Sequence, residues 1–183
     1  MKIQSTLLEG VSVVETTPFN DQRGVFVRYY CENELSSIIA DRRIVQINLS
    51  HTHAAGAVRG MHFQRPPHAE MKLIRCLKGK VWDVAIDLRT GSSTFMQWHA
   101  EELSPENARM IIIPEGCGHG FQVMEEDSEL LYLHTAFYAP EFEGGVLFSD
   151  PRLNISWPLP VTDLSERDRK YSPITPDFAG LTV

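Results

Sequence analysis

The sequence predicts an all-β domain of the sandwich or jelly-roll kind, and three observations carry that prediction. Between Val11 and Thr135, short β-type runs alternate with Gly, Pro, Asn and Asp punctuation, and only one convincing helix interrupts them. The run Lys80–Leu88 alternates cleanly, with Trp82, Val84, Ile86 and Leu88 on a core face and Val81, Asp83, Ala85 and Asp87 on a face open to polar chemistry. At 183 residues the chain has the size of one ordinary domain with one sizeable core.

In chain order, the pattern predicts strands at Val25–Tyr30, Ile44–Ser50, Arg59–Gln64, Met71–Leu77, Lys80–Leu88, Gln97–Leu103, Met110–Ile113 and Leu130–Thr135. The early helix falls near Glu32–Ala40. After Tyr138 the chain turns Pro-rich (Pro140, Pro151, Pro158, Pro160, Pro173, Pro176), which bars central strands. The segment from about 139 to 183 is therefore expected to wrap rather than pair around a core of about 11–138. It holds one short helix near Leu164–Lys170, capped by Asp163 or Ser165.

Hydrophobic residues at 43% and charged residues at 22% exclude wholesale disorder. Lys and Arg number 17 against 24 Asp and Glu, a net charge of −7, so nothing draws the whole surface to nucleic acid or anionic membrane. An anionic ligand then needs a local basic cluster. No basic and apolar leader opens the chain and no apolar run approaches membrane length, which predicts a cytoplasmic protein. Cys31, Cys76 and Cys117 are odd in number and lack metal-type spacing, so they read as buried free thiols.

Candidate chemistry concentrates in two runs. Arg59-Gly60-Met61-His62-Phe63-Gln64 packs a guanidinium and an imidazole into one strand length. Strict alternation sends them to opposite faces, so both line one cavity only if the strand bulges, most cheaply at Gly60. Pro114 to Phe121 matches the PxGxxH pattern of cupin barrels, in which a tight turn presents the His, here His119, at the barrel mouth. Many cupins bind metal through that His and an HxH. Here the earlier strand reads His62-Phe63-Gln64, and His68 and Glu70 lie at the wrong spacing, so no metal is expected. Lys72, on a face with Ile74 and Cys76, would bring an ammonium into an apolar interior and so demands a ligand or an acidic partner. Tyr132, beside Leu130 and His134, adds a phenol at the same mouth. A base, an acid and a cation together are what proton transfer beside a carbonyl requires.

The ordered motifs resemble the dTDP-4-dehydrorhamnose 3,5-epimerase family. They are Phe19 with Asp21-Gln22-Arg23-Gly24-Val25-Phe26, Gln46-Ile47-Asn48 with Ser50 and Gly56, Arg59 to Gln64, Lys72-Leu73, Ile113-Pro114 with His119-Gly120-Phe121, Tyr132, Tyr138-Ala139-Pro140, Asp150-Pro151, Trp157-Pro158, and Leu164-Ser165 with Asp168. The resemblance covers residues from about 17 to 170. It implies a cupin-type jelly roll, usually a homodimer, that uses neither metal nor organic cofactor on a nucleotide-diphosphate 4-keto-6-deoxy sugar. His62 matches the family's base, Asp168 the carboxylate paired with it, Tyr132 the acid on the opposite ring face, and Lys72 the cation near the 4-keto oxygen. Arg23, Gln46, Asn48, Arg59, His119, Glu143 and Arg167 match residues that hold the diphosphate and sugar, and Tyr138 the aromatic that stacks on the base.

One departure bears on the base. Two residues after Phe26, which belongs to the binding set, the family usually has a Glu that accepts from thymine, whereas Arg28 here can only donate. The same chemistry on a CDP- or GDP-linked sugar is therefore an alternative. A metal cupin using His62, His119 and either Glu70 or His68 is a second. A binding protein without turnover is a third, disfavoured because mere binding needs no base and acid pair.

Overall fold

A computed structural model describes all residues from Met1 to Val183. Strands β1 (Lys2–Ser5) and β2 (Ser12–Glu15) open the chain, and β3 (Phe19–Asp21) and β4 (Gly24–Phe26) form a separate hairpin. Helix α1 (Glu32–Ile39) leads to β5 (Gln46–Thr52), β6 (Val58–Gln64), β7 (Lys72–Lys78), β8 (Val81–Asp87), β9 (Trp98–Leu103), β10 (Arg109–Ile113), β11 (Cys117–Val123) and β12 (Ser128–His134). A short 3-10 turn at Pro140–Phe142, β13 (Glu143–Gly145) and α2 (Glu166–Arg169) complete the elements.

Two antiparallel sheets face each other. The first runs in the order β1-β2-β10-β7-β12-β5 and the second β13-β6-β11-β8-β9. Their facing sides share one apolar cluster, with Ile74, Ile111 and Leu130 from the first sheet against Ala85, Phe121 and Val123 from the second. Each side chain of this size contributes about 1.5–3 kcal/mol when fully buried.

The outer faces are covered in different ways. Leu35 and Ile39, four residues apart on one side of α1, pack on Leu73, Met110, Ile112 and Leu133 of the first sheet. Glu32 and Glu34 in its first turn suit the positive end of the helix, and Ala40 at φ 54° ends it. On the second sheet, Met61, Phe63, Val84, Ile86 and Leu88 are roofed by tail residues including Leu153, Ile155, Trp157 and Ile174. The indoles of Trp98 and Trp157 donate to the carbonyls of Leu153 and Phe148, each at 3.0 Å, and pin that tail.

Several expectations need correction. Lys80–Leu88 keeps its alternation, but both faces are buried: Trp82, Val84, Ile86 and Leu88 pack under the tail, and Val81 and Ala85 face the interior beside a buried Asp83. The expected strand Val25–Tyr30 stops at Phe26, because the chain turns to lay Tyr29 over the buried Arg75 guanidinium at 4.6 Å. Glu115-Gly116 forms the expected tight turn, with Gly116 at φ 77°, but Cys117–Val123 after it is a full strand that the pattern did not predict, paired to both β6 and β8. The tail wraps but also pairs, through β13 against β6 and through single bridges from Leu164 to Val58 and Leu181 to Arg89. Cys31 is half-buried; only Cys76 and Cys117 are buried thiols, and desolvation pushes both up to about 12. No helix is long and apolar enough to cross a membrane.

Candidate active site

The bulge anticipated at Gly60 is present. His62 lies opposite His119 and Arg59 opposite Phe121, so two residues of β6 face one residue of β11, and Gly60 takes φ 121°. A Cβ on Gly60 would stand 2.5 Å from the Cα of Gly120, so the glycines are what let the strands meet there. The bulge turns Arg59 and His62 into the same cavity of about 330 Å³, lined also by Thr52, Ser165, Arg167 and Asp168.

Asp168 reaches His62 from the tail. Ser165 caps α2 by accepting from the Asp168 N–H at 3.1 Å, which orients the carboxylate toward β6. Oδ2 accepts from the Gly60 N–H at 3.2 Å and Oδ1 lies 2.7 Å from His62 Nε2. Burial pushes the Asp168 carboxyl up, but His62, the Gly60 N–H and Arg167 together hold it below the usual carboxylate range. An ionised carboxylate only accepts, so Nε2 carries the imidazole proton and Nδ1 keeps the lone pair. Arg167 Nη2 sits 3.0 Å from the same Nε2, a contact that the Nε2–H tautomer cannot accept; the guanidinium is held instead by Glu143 at 2.8 Å. Tyr171 closes the other side, its ring edge 6.0 Å from His62.

The facing sheet supplies the remaining groups. Tyr132 and His134 of β12 lie parallel at 5.9 Å, and His119 meets the Tyr132 ring edge-on at 5.8 Å. Burial and the nearby Asp83 carboxylate raise the Tyr132 phenol well above its ordinary value. Lys72 has the acidic partner that its position demanded, Glu70 at 3.3 Å. Burial pushes Glu70 up, but His134 at 2.7 Å and Lys72 keep it below its ordinary value. His119 is almost fully buried, with Nε2 on the Asp83 carboxylate at 2.9 Å, and desolvation lowers its pKa so that it is neutral. At the mouth, the Tyr138 hydroxyl donates to Glu143 and its N–H to Gln46, while Arg59 donates to Thr52 at 2.9 Å.

Comparison with known proteins gives the constellation a family. The model described as dTDP-4-dehydrorhamnose 3,5-epimerase matches residues 5–175. The chain belongs to the dTDP-4-dehydrorhamnose 3,5-epimerase family. It is 42% identical over 172 residues to the enzyme of that name from Pseudomonas aeruginosa, covering 93% of this chain and 94% of that one. Its fold matches NovW, a 4-keto-6-deoxy sugar epimerase from Streptomyces spheroides, with a TM-score of 0.90 at 36% identity, over 94% of this chain and 87% of that one. The Legionella pneumophila RmlC complex with dTDP-4-keto-L-rhamnose matches at a TM-score of 0.89 and 34% identity, over 94% and 92% of the two chains.

Within this epimerase chain the predicted residues divide into two groups. His62, Asp168, Arg167, Glu143, Tyr138 and Gln46 form one hydrogen-bonded chain, Arg59 lines the same cavity as His62, Tyr132, Lys72 and His119 lie toward the interior, and Asn48 is exposed on β5 beside His134. Arg23, Phe26 and Arg28 stand apart on or after the β3–β4 hairpin. Arg23 pairs with Asp21 at 2.6 Å, Phe26 is 71% exposed, and Arg28 is engaged by Glu34 of α1 at 2.5 Å. Within one chain only Nη1 of the exposed Arg28 fork is paired, with Glu34.

Three partners escaped the motif reading. Asp83 was legible as an acid on the inner face of an alternating strand, whereas Glu70 entered only as a metal ligand and Tyr171 gave no signal. The metal-cupin arrangement does not assemble. His119 is taken by Asp83, Glu70 by Lys72 and His134, and His68 packs on Phe142 at 4.5 Å. The His and carboxylate atoms that do cluster are the exposed His51, His53 and Asp127, already hydrogen-bonded to one another.

Proposed function

We propose that this epimerase inverts C3, C5 or both in a dTDP-linked 4-keto-6-deoxy sugar by proton abstraction, enolate formation and reprotonation, with His62 as base and Tyr132 as acid. One observation carries the reading: the imidazole belongs to the second sheet, with its carboxylate brought in by α2, while the phenol and the ammonium belong to the first sheet, which faces it. A carbon flattened between those walls loses its proton to one and regains it from the other, and that exchange is inversion.

The ionisation states suit these roles. His62 holds its proton on Nε2 against Asp168, so Nδ1 is the basic atom. A proton beside a ketone is far less acidic than imidazolium, with its ordinary pKa of about 6.5, so its removal requires a stabilised enolate. Lys72 supplies the cation, and loss of one such preorganised partner typically costs roughly 2.7–4 kcal/mol in the barrier. Tyr132, held well above its ordinary value, stays protonated at neutral pH and is ready to donate. Arg59 and Arg167 flank the cavity and supply the local positive charge that an acidic protein needs to hold a diphosphate. The exposed Tyr138 ring is the stacking surface for the base.

The same reading makes the protein a cytoplasmic homodimer. Phe19, Val25 and Phe26 on the hairpin and Ile47 and Leu49 on the edge strand β5 are all more than half exposed. Exposed apolar side chains on an unpaired edge are costly in water, and a second copy would cover them. Arg23 and Phe26 would then be free to reach a neighbouring protomer's cavity.

Incubation in D₂O with 4-keto-6-deoxy sugars on dTDP, CDP and GDP tests the proposal. Deuterium should enter beside the ketone, fastest on the dTDP sugar, and NMR then shows which carbons exchange. Exchange at the parent rate by His62→Ala would remove the mechanism, and a clear CDP or GDP preference would give a base-reading role to Arg28.

A further inference from the structure

The interior holds a buried ionic group of which the reaction uses only Lys72. Glu70, Lys72 and His134 have side chains only 8%, 11% and 11% exposed, and they form a directional chain. Lys72 Nζ lies 3.3 Å from Glu70 Oε1, His134 Nδ1 lies 2.7 Å from Glu70 Oε2, and His134 Nε2 lies 3.3 Å from Asn48 Nδ2. The carboxylate can only accept, so His134 donates through Nδ1. Its Nε2 is then an acceptor, and the group opposite it must be the Asn48 amide N–H. Every polar atom in the row is matched, donor to acceptor, only while His134 is neutral.

This order has two consequences for the reaction. The Lys72 ammonium is anchored on Glu70, so its position next to the reacting carbons is set by that carboxylate. The Asn48 amide is fixed with its nitrogen toward His134, so its Oδ1 is the end left for the open mouth of the cavity, where Asn48 is exposed. A carbonyl oxygen there accepts from a sugar hydroxyl; an amide nitrogen would instead donate to a phosphate or carbonyl oxygen.

We propose that Glu70 and His134 are a positioning pair for the epimerase reaction: Glu70 places the Lys72 ammonium, and neutral His134 orients Asn48 so that it presents an acceptor to a hydroxyl of the bound sugar. This rests on the proposed epimerase activity and adds two residues that do not touch the substrate. The ionisable neighbours of His134 are Glu70 and Lys72 on the β7 side and Tyr132 on its own strand, while β5 presents the neutral Asn48. Protonating His134 turns Nε2 into a donor, which the Asn48 amide can meet only by rotating its oxygen inward and losing the acceptor at the mouth.

The test is steady-state epimerisation of the dTDP-linked 4-keto sugar by the parent, Glu70→Gln, His134→Leu and His134→Gln, each checked for parental circular dichroism. Glu70→Gln keeps the shape and removes the charge, so kcat should fall by about tenfold or more with KM nearly unchanged. His134→Leu frees the Asn48 amide, so KM should rise about five- to tenfold with a smaller change in kcat, and His134→Gln, which can both accept and donate, should recover most of it. Parental kcat for Glu70→Gln, or parental KM for His134→Leu, would overturn the assignment. An inactive parent would instead overturn the epimerase reading, so the two failures are distinct.

Discussion

Replacing Asp168 by Asn separates the shape of the catalytic pair from its charge. Three donors face the carboxylate, the His62 Nε2–H at 2.7 Å and Arg167 Nε at 3.4 Å on Oδ1 and the Gly60 N–H at 3.2 Å on Oδ2. An amide offers one acceptor oxygen and one donor nitrogen, so it cannot accept at both ends. The backbone N–H of Gly60 is fixed by the bulge, so the amide oxygen turns to it and the amide nitrogen faces the imidazole. His62 responds by moving its proton to Nδ1, the atom that has to take the substrate proton. Loss of the correct tautomer in a comparable hydrolase triad costs about 10⁴ in kcat, equivalent to about 5 kcal/mol in the barrier. We expect a drop of about 10²–10⁴ here. A buried donor without its partner costs a further 1–3 kcal/mol or so of folding stability. Asp168 is 1% exposed, so substrate affinity should change little. The assay is deuterium wash-in beside the ketone, at a temperature where circular dichroism shows the variant folded, with nucleotide affinity measured by calorimetry. Wash-in within about threefold of the parent would refute the tautomer argument, since no other group holds that proton on Nε2.

Tyr132→Phe deletes the acid and keeps the ring, so solvent exchange by His62 should persist at one carbon while inversion is lost or misdirected; full parental epimerisation would transfer the acid role to water. Gly120→Ala would push its methyl to 2.4 Å from Met61 Sδ and 2.8 Å from the Arg59 carbonyl, so we expect a loss of about 1–3 kcal/mol in urea unfolding and a weaker diphosphate grip as the bulge shifts Arg59. Asp87, fully buried, accepts from Arg89, Ser92 and Thr94, and although burial pushes its carboxyl up, those donors hold it at about 2 against an ordinary 3.8. A depressed folded-state value means its stabilisation is present above the ordinary value and lost as pH falls toward 2. That difference is worth about 2 kcal/mol. Asp87→Asn should therefore flatten the loss of stability between about pH 4 and pH 2, and an unchanged acid slope in the variant would remove Asp87 from the account.

The all-β class, the helix at α1 and the sites of most strands follow from local patterns, because alternation and Gly or Pro punctuation act within a few residues. His62, Tyr132, Lys72 and Asp168 were legible as a set because their motifs stand in a characteristic order, and the Gly60 bulge followed from the need to turn Arg59 and His62 to one side. The strand Cys117–Val123 escapes the pattern because its small residues look like a loop until β6 and β8 close on both edges. The face of β8 open to polar chemistry carries Asp83 and Asp87, and only His119 and Arg89, 36 and 2 residues away, show how those charges are buried. Arg28 carries donors suited to a base, and the structure pairs one of them, Nη1, with Glu34 six residues on. The sequence by itself determined which chemical groups are present and which strand faces carry them. Only the tertiary structure decided which carboxylate serves which cation, since ion-pair choice depends on distance and burial between segments up to 106 residues apart, as for His62 and Asp168.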